Sequence, residues 1–208
     1  MVKKLKRLEV EEKLKSLGFV VFSPREFQGV FGVPASIASV FIARNLRSGL
    51  FQKLRNGYYL VKDSHPSQYV VANKLYQPSY VSLEKALSHY GIIPEVVYAQ
   101  TSVTTKISRE MVTPLGLFTY QRIKQAAFTG YSLRQIDSGR ALIAEPEKAL
   151  ADYLYFVDLK RISLNDRLNL KSIRQVKLLQ YVDLFQRPNM RKLVRHIYAH
   201  ARKPRKIY

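Results

Sequence analysis

The chain has 208 residues, of which 47% are hydrophobic and 12% aromatic, which is enough for a folded core and too much for a disordered basic tail. Its 35 Lys and Arg residues against 15 Asp and Glu give a formal net charge of +20, which favours a polyanionic or acidic partner. The absence of cysteine excludes disulfides, thiolate metal sites and cysteine nucleophiles. The longest uncharged apolar stretch, residues 27–43, contains Gly, Pro and Ser and is too polar for a membrane span, so a cytoplasmic protein without membrane contact is expected.

The positive charge is concentrated at the two ends of the chain. Residues 1–65 hold 12 basic and 5 acidic residues, residues 159–208 hold 14 and 2, and residues 66–158 hold 9 and 8. Basic blocks on either side of a neutral middle indicate surfaces that meet a polyanion or an acidic partner. We therefore expect one domain over residues 1–65 and a second over residues 66–208 with a basic helical end.

The first segment is predicted to form one amphipathic helix. Basic, acidic and leucine positions alternate over residues 3–17, and the leucines recur at helical spacing. These leucines are Leu5, Leu8, Leu14 and Leu17. Gly18 is a natural helix end, and residues 19–22 follow as a short apolar strand.

Two further helices are predicted before residue 50. Ser23 and Glu26, with a proline directly after the serine, match a capping box, so a short helix should begin there and run to about residue 31. A Gly-Val-Pro sequence breaks that helix, and residues 35–48 form the next one.

On a helical wheel, the helix over residues 35–48 divides into two halves. The apolar half consists of Ile37, Ala38, Phe41, Ile42, Asn45 and Leu46. The other half has small residues near its start and two arginines near its end, namely Ser36, Ser39, Val40, Ala43, Arg44 and Arg47. Small residues let a helix approach the major groove of DNA, and arginines reach guanine edges or phosphates. All of these except Ala43 are predicted to contact DNA, and an ordinary solvated face is the alternative.

Residues 50–61 are predicted to form a β-hairpin. Asn56-Gly57 separates two strand-like runs, which is the strongest short-range hairpin signal. The order helix, short helix, turn, helix, hairpin is that of a winged helix-turn-helix, in which the second helix of the pair enters the major groove. The hairpin would bring Lys53, Arg55 and Asn56 to the DNA backbone or minor groove. Winged helices also serve as protein–protein modules, and that alternative stays open.

The middle of the chain mixes helices and strands. Helices are predicted over residues 68–76, 82–90 and 147–157, and strands over residues 96–98, 102–105, 118–123 and 142–144. The predicted fold class is α+β: an N-terminal winged helix-turn-helix, then a mixed α/β domain with a small sheet and terminal helices.

Four motifs of this region stand in a specific order. They are YVSLEKALSHYGIIP at residues 80–94, TSVTT at 101–105, TPLGLFTY at 113–120 and EPEKALADYL at 145–154. Together with the hairpin, they resemble the AbiEi-type antitoxins of abortive-infection (type IV) toxin–antitoxin systems over roughly residues 20–160. Glu145 departs from that family, which more often has Thr or Ser there as a helix cap.

The resemblance implies two activities. The winged helix would bind double-stranded DNA at the protein's own promoter, typically at inverted repeats, and repress transcription. The second domain would counteract a cognate nucleotidyltransferase-like toxin, with or without direct contact. The Gly-Ser motif and paired aspartates of such a toxin are missing from the chain, as are a phosphate-cradling glycine loop and a nucleophile elbow. We therefore expect an antitoxin that is not an enzyme and needs no cofactor.

The last fifty residues are the most basic. A possible capping box at Ser172 predicts a helix over residues 173–186, and a second helix is predicted over residues 189–200. The second helix would present a second basic patch, Arg191, Lys192 and Arg195. This patch would contact phosphates, an acidic toxin surface or only solvent.

Metal binding and RNA binding are two further alternatives. His196 and His200 share an i, i+4 spacing open to two metal ligands, but no Glu follows them, so no metal is expected. An RNA-binding protein that uses the basic ends and the 24 Tyr and Phe residues is the remaining alternative, although those residues lie mostly at core spacing.

Overall fold

The computed structural model describes residues 5–137 and 139–201, which adopt an α+β fold. The N-terminal elements are α1 (Arg7–Ser16), β1 (Val21–Phe22), α2 (Pro24–Phe31), α3 (Ala35–Arg47), β2 (Phe51–Arg55) and β3 (Tyr58–Val61). The elements that follow are α4 (Gln68–Leu75), β4 (Ser79–Val81), α5 (Leu83–His89), β5 (Gln100–Thr104), β6 (Arg109–Thr113), β7 (Gly116–Arg122), a 3-10 turn (Gln125–Ala127), β8 (Tyr131–Ile136), β9 (Gly139–Ala144), α6 (Pro146–Asp158), α7 (Gln175–Asp183) and α8 (Pro188–Ala201).

The start of α2 is fixed by the predicted capping box. The Ser23 hydroxyl accepts from the backbone N–H of Glu26 at 3.3 Å, and the backbone N–H of Ser23 donates to the Glu26 carboxylate at 2.7 Å. The helix ends at Gly32, whose φ of +63° is the left-handed conformation that glycine adopts at no steric cost. The break of three residues turns the chain, so that α2 and α3 are bent by 112° from each other.

The predicted hairpin is confirmed. β2 and β3 pair antiparallel around Asn56-Gly57, and β1 pairs with the other side of β3. Gly57 has a φ of +79°, which a tight turn at this position requires. Lys53 faces Tyr59 while Arg55 faces Tyr58, so the register slips by one residue in between.

The first helix is shorter than predicted, and its buried face is a different one. Val10 and Leu14 are buried, whereas Leu8 is 72% exposed and Leu17 53% exposed. Leu17 lies beyond the end of the helix, and Leu8 is two residues from Val10, about 200° around the helix axis. The expectation that the leucines form the apolar face was therefore wrong for these two.

The second sheet is larger than the small sheet predicted. Its six strands run in the order β6-β7-β5-β4-β9-β8, with β4–β9 and β5–β7 parallel and the other neighbours antiparallel. The strands β4, β6 and β8 were not predicted. The strand expected over residues 96–98 was wrong, because this segment is irregular and exposes Val96 and Tyr98.

Helices cover both faces of this sheet. On one face α4 packs close, and the Tyr120 hydroxyl donates to the carbonyl of Ala72 at 2.7 Å. On the other face lies α6, where the fully buried Asp152 accepts from Ser82 at 2.7 Å and from Tyr80 at 3.1 Å. Asp152 also forms an ion pair with the fully buried Lys148, one turn earlier in the same helix.

The three-stranded sheet lies between two hydrophobic cores. Because successive strand residues point to opposite faces, Phe22, Phe51 and Val61 pack with the first three helices, while the residues on the opposite face pack into the second core. The latter are Val21, Leu54 and Leu60. An ion pair of 3.0 Å between Glu26 and Lys74 also joins the two parts. The predicted boundary at residue 65 falls between β3 and α4.

The last two helices pack on α6. α8 occupies the position predicted, but α7 begins at Gln175 after Arg174, with no side-chain cap, so the capping box expected at Ser172 was wrong. Val176 of this helix is an apolar side chain that is 73% exposed.

Candidate nucleic-acid interface

An aromatic cluster packs against the buried side of α3. The rings of Phe27 and Phe41 are stacked with centroids 5.6 Å apart, and Phe41 also lies 6.3 Å from Phe51 of the hairpin. Phe22 completes the contact between strand and hairpin, with its ring 4.9 Å from that of Phe51. Aromatic pairs at these separations add to the burial of apolar area, so α3 and the hairpin form one rigid support.

The turn from α3 into β2 depends on a buried asparagine. The Asn45 side chain donates to the carbonyl of Phe41 at 2.8 Å, and the backbone carbonyl of Asn45 accepts from the backbone N–H of Leu50 at 3.0 Å. These bonds satisfy polar groups that would otherwise be costly to bury. They also fix the hairpin against the end of the helix.

The two predicted halves of α3 are those that the structure buries and exposes. Ala38, Ile42 and Asn45 are buried, and the other members of the apolar half are half-buried. The exposed residues are Ser36, Ser39, Val40, Ala43, Arg44 and Arg47. Val40 is 61% exposed, an apolar side chain in the middle of an otherwise polar face. The exposed face of α3 thus carries small side chains near its start and cationic side chains near its end.

The cations of this surface have no carboxylate partner among the described residues. Arg44, Arg47 and Lys53 each lack an acidic side chain within ion-pair distance there. Two acidic residues of α1, Glu9 and Glu11, pair with lysines of their own helix neighbourhood. The positive potential of α3 and β2 is therefore not cancelled locally.

The predicted hairpin residues differ in how far they reach into solvent. Lys53 and Asn56 are exposed. Arg55 is half-buried, with its guanidinium 4.7 Å from the centroid of the Tyr58 ring and its Nε buried without a hydrogen-bond partner among the described residues. Arg55 is thus held partly against the protein, near Tyr58 and Tyr120, and is less available at the hairpin tip than was predicted.

One exposed cation near α3 was missed by sequence reasoning. The side chain of Lys62 ends 3.8 Å from where a Cβ on Gly49 would lie, and its backbone N–H donates to the carbonyl of Leu50 at 2.8 Å. Lys62 therefore stands at the turn that follows α3. The Asn-Gly turn signalled an approximate pairing of the two strands, but the one-residue slip between Lys53 and Arg55 changes which residues face each other.

The predicted second basic patch is partly neutralised. Arg191 forms hydrogen bonds of 2.7 and 2.5 Å to the Asp183 carboxylate, which lowers the pKa of Asp183. Lys192 and Arg195 are exposed. His196 is also exposed, and the side chain of His200 lies outside the described residues.

Four further cations of the C-terminal block bind acidic residues of the middle segment. Arg167 pairs with Glu95, Arg174 with Glu147, Lys177 with Glu145 and Glu147, and Arg187 with Asp158. These pairs join α7 and the loops around it to α6, to the residue that precedes α6 and to the loop after α5. Within residues 159–201, half of the cations are thus paired with carboxylates of the protein itself.

Glu145 shows how the departure from a Thr or Ser cap is used. It precedes α6 without capping it, and its carboxylate accepts from Lys177 and from Tyr181 at 2.6 Å each. These bonds hold the pKa of Glu145 below its ordinary value. Burial by itself would raise the pKa of the neighbouring Glu147, but hydrogen bonds from its own backbone and from Arg174 keep that pKa low as well.

The described residues contain no group of three or more His, Asp or Glu side chains placed to hold a metal ion. No single helix among them has the length and apolar composition to cross a membrane; α2 and α3 meet that test only when taken together across their 112° bend.

The chain was also compared with known proteins. No protein-family model matches it, and no curated protein matches it in sequence.

Proposed function

We propose that residues 1–65 form a winged helix-turn-helix that binds duplex DNA, with α3 as the recognition helix, and that the protein is an autorepressing antitoxin of a type IV toxin–antitoxin system. The observation that carries the proposal is the exposed face of α3: small residues first, then Arg44 and Arg47 without carboxylate partners among the described residues. No catalytic step is part of this function.

The arrangement around α3 supports the DNA-binding part. Helix-turn-helix pairs cross at about 90–120° with a turn of three or four residues, and α2 and α3 are bent by 112° across residues 32–34. The hairpin of β2 and β3 follows directly, and β1 completes its sheet. With α3 in the major groove, Lys53 and Asn56 would face the neighbouring phosphates, as positioning contacts without base specificity.

The residue types on α3 suit base recognition. Arginine forms paired hydrogen bonds to guanine, and apolar side chains contact the methyl group of thymine. Arg44 and Val40 are one turn apart on the exposed face. We expect a binding site that contains a guanine and a thymine a few base pairs apart in each half-site.

A gel shift with the DNA upstream of the gene tests this proposal. The full-length protein should bind that duplex more tightly than a shuffled duplex of equal length. Its affinity should fall about 10³-fold between 50 and 200 mM salt if six phosphates are contacted. Absence of any shift, or an affinity that does not change with salt, would contradict DNA binding and favour a protein–protein role for the winged helix.

The antitoxin part rests on the resemblance of the second domain. The motif residues Tyr80, Ser82, Lys148 and Asp152 contact one another inside the fold. These motifs therefore support a shared fold, and the surface that counteracts a toxin must consist of other residues. A nucleotidyltransferase encoded next to the gene should inhibit growth, and co-expression of this protein should restore growth. The variant with Arg44 and Arg47 replaced by alanine should restore growth as well. If neither the wild type nor the variant restored growth, the antitoxin role would be contradicted, and the DNA-binding proposal would be unaffected.

A further inference from the structure

A basic cleft lies at one end of the six-stranded sheet, and no residue of α3 lines it. It has a volume of about 500 Å³. Its lining includes the side chains Thr105, Ser108, Arg122, Lys124, Tyr155 and Arg161. Neither the DNA-binding proposal nor the antitoxin proposal uses this cleft.

The cleft is formed where two parallel strands end. β5 and β7 run side by side, with Thr104 opposite Arg122 at their carboxyl ends. The backbone N–H of Ile123 donates to the carbonyl of Thr104 at 2.9 Å, and that of Arg122 donates to the Ser108 hydroxyl at 2.9 Å. Crevices at the carboxyl ends of parallel strands are common ligand sites, because loops and helix ends converge there.

The cations of the cleft are not neutralised. No acidic residue lines it, and Arg122, Lys124 and Arg161 form no ion pair within the described residues. The nearby Asp158 at the end of α6 is already paired with Arg187. The Lys124 ammonium donates to the carbonyl of Phe185 at 2.8 Å, which anchors it and leaves two of its three N–H groups available.

The hydroxyl groups complete a set of donors. Ser108 accepts a backbone N–H and keeps its own proton to donate. The carbonyl groups at the end of α6, which would repel an anion, are occupied: those of Tyr155, Phe156 and Val157 accept from the backbone N–H groups of residues 159–161 at 2.9–3.0 Å. Three cations from two segments of the chain, with hydroxyl groups in the same lining, match the charge and the oxygen atoms of several linked phosphoryl groups.

We propose that this cleft binds a di- or triphosphate group, as carried by nucleotides or inorganic polyphosphate. Arg122 and Arg161 would each face one phosphoryl group, with Lys124 between the protein backbone and the ligand. The proposal does not depend on DNA binding by α3, since no residue of α3 or the hairpin takes part.

Isothermal titration of the full-length protein with ATP and with inorganic triphosphate tests the proposal. Arg122→Gln with Arg161→Gln should weaken both ligands by about tenfold or more, because two charge-assisted contacts are lost. Arg134→Gln with Arg140→Gln is the matched control, since it removes the same charge from exposed positions on β8 and β9. This control should change either affinity by less than about twofold. Binding of ATP alone, without triphosphate, would mean that the base rather than the phosphates is recognised and would overturn the proposal.

A second measurement needs no variant. Addition of triphosphate to the wild-type protein should shift the backbone amide NMR signals of residues 105–108 and 122–125 more than those of α3. Equal losses in the cleft variant and the control, or no binding of either ligand, would overturn the proposal. It would also be overturned if the cleft variant lost affinity only for duplex DNA, because the cleft would then contact phosphodiesters of nucleic acid. A promoter gel shift tests α3 separately, so the two proposals fail independently.

Discussion

Both ends of the chain carry an excess of basic residues, but their surfaces differ. In the N-terminal part, Arg44, Arg47 and Lys53 have no acidic side chain within ion-pair distance among the described residues. In the C-terminal part, half of the cations in residues 159–201 bind carboxylates. The acidic partners are Glu95, Glu145, Glu147, Asp158 and Asp183.

This difference shows that the net charge of a segment does not measure its surface potential. The C-terminal block is the more basic by sequence, yet four of its five acidic partners come from the middle segment. A cation that is already paired must give up its carboxylate before it binds a phosphate, whereas a free cation only releases solvent ions. The smaller N-terminal excess is therefore the better candidate for binding DNA.

The largest effect on stability is expected for the fully buried ion pair between Lys148 and Asp152. Asp152→Ala would leave Lys148 buried without its partner, so the free energy of unfolding should fall by about 3–5 kcal/mol. Urea unfolding followed by circular dichroism measures this loss. Asp183→Ala, which removes a largely exposed partner, is the control and should cost under about 1 kcal/mol. Equal costs would mean that burial does not set the strength of these pairs.

The next effect concerns the free cations. Arg44→Ala should weaken binding to the upstream duplex by about 1–3 kcal/mol if the side chain pairs with a guanine. Arg174→Ala is the control: it also removes one positive charge, but from a residue that is already paired with Glu147, so the affinity for the duplex should be almost unchanged. Fluorescence anisotropy with both variants makes the comparison directly. Similar losses in the two variants would show that total charge, and not the α3 surface, controls binding.

Acid should destabilise the fold by protonating Glu145 and Glu147, which form ion pairs with α7 and the residue before it. The pKa values of Glu145 and Glu147 lie below their ordinary value of 4.5 in the folded protein, so the ionised forms stabilise the fold. This contribution is fully present above pH 4.5 and is lost as the pH falls through the lowered folded-state pKa values. Thermal unfolding from pH 6 down to about pH 3 should therefore show a smaller decrease in Tm for Glu145→Gln with Glu147→Gln than for the wild type. An identical pH dependence would contradict a stabilising role for these two carboxylates.

The smallest effect is expected at the hairpin. Lys53→Ala should weaken binding to specific and shuffled duplexes alike, and lower the slope of log affinity against log salt by about 1, because one phosphate contact is lost. Anisotropy titrations at several salt concentrations measure both quantities. A loss confined to the specific duplex would instead assign Lys53 a role in base recognition.

Local patterns of the sequence predicted the N-terminal part well. The capping box at Ser23, the two halves of α3 and the hairpin at Asn56-Gly57 each depend on residues within a few positions of one another. The α1 prediction was less accurate, because the regular spacing of the leucines did not show which side of the helix packs against the core. The strand expected over residues 96–98 was wrong because β-rich composition alone says nothing about a neighbouring strand.

Long-range contacts account for the rest. The order of the six-stranded sheet brings β4 beside β9 and β5 beside β7, pairings that no local pattern encodes. The basic cleft brings together Arg122 and Arg161, which are far apart in sequence, and no local pattern predicts that they line the same space.

By itself, the sequence determined where helices and the hairpin form, which side of α3 faces solvent and how much positive charge the chain carries, because helix and turn signals act over a few residues. Only the tertiary structure decided which of those positive charges remain available. A carboxylate neutralises a cation within about 4 Å in space, whatever their separation along the chain.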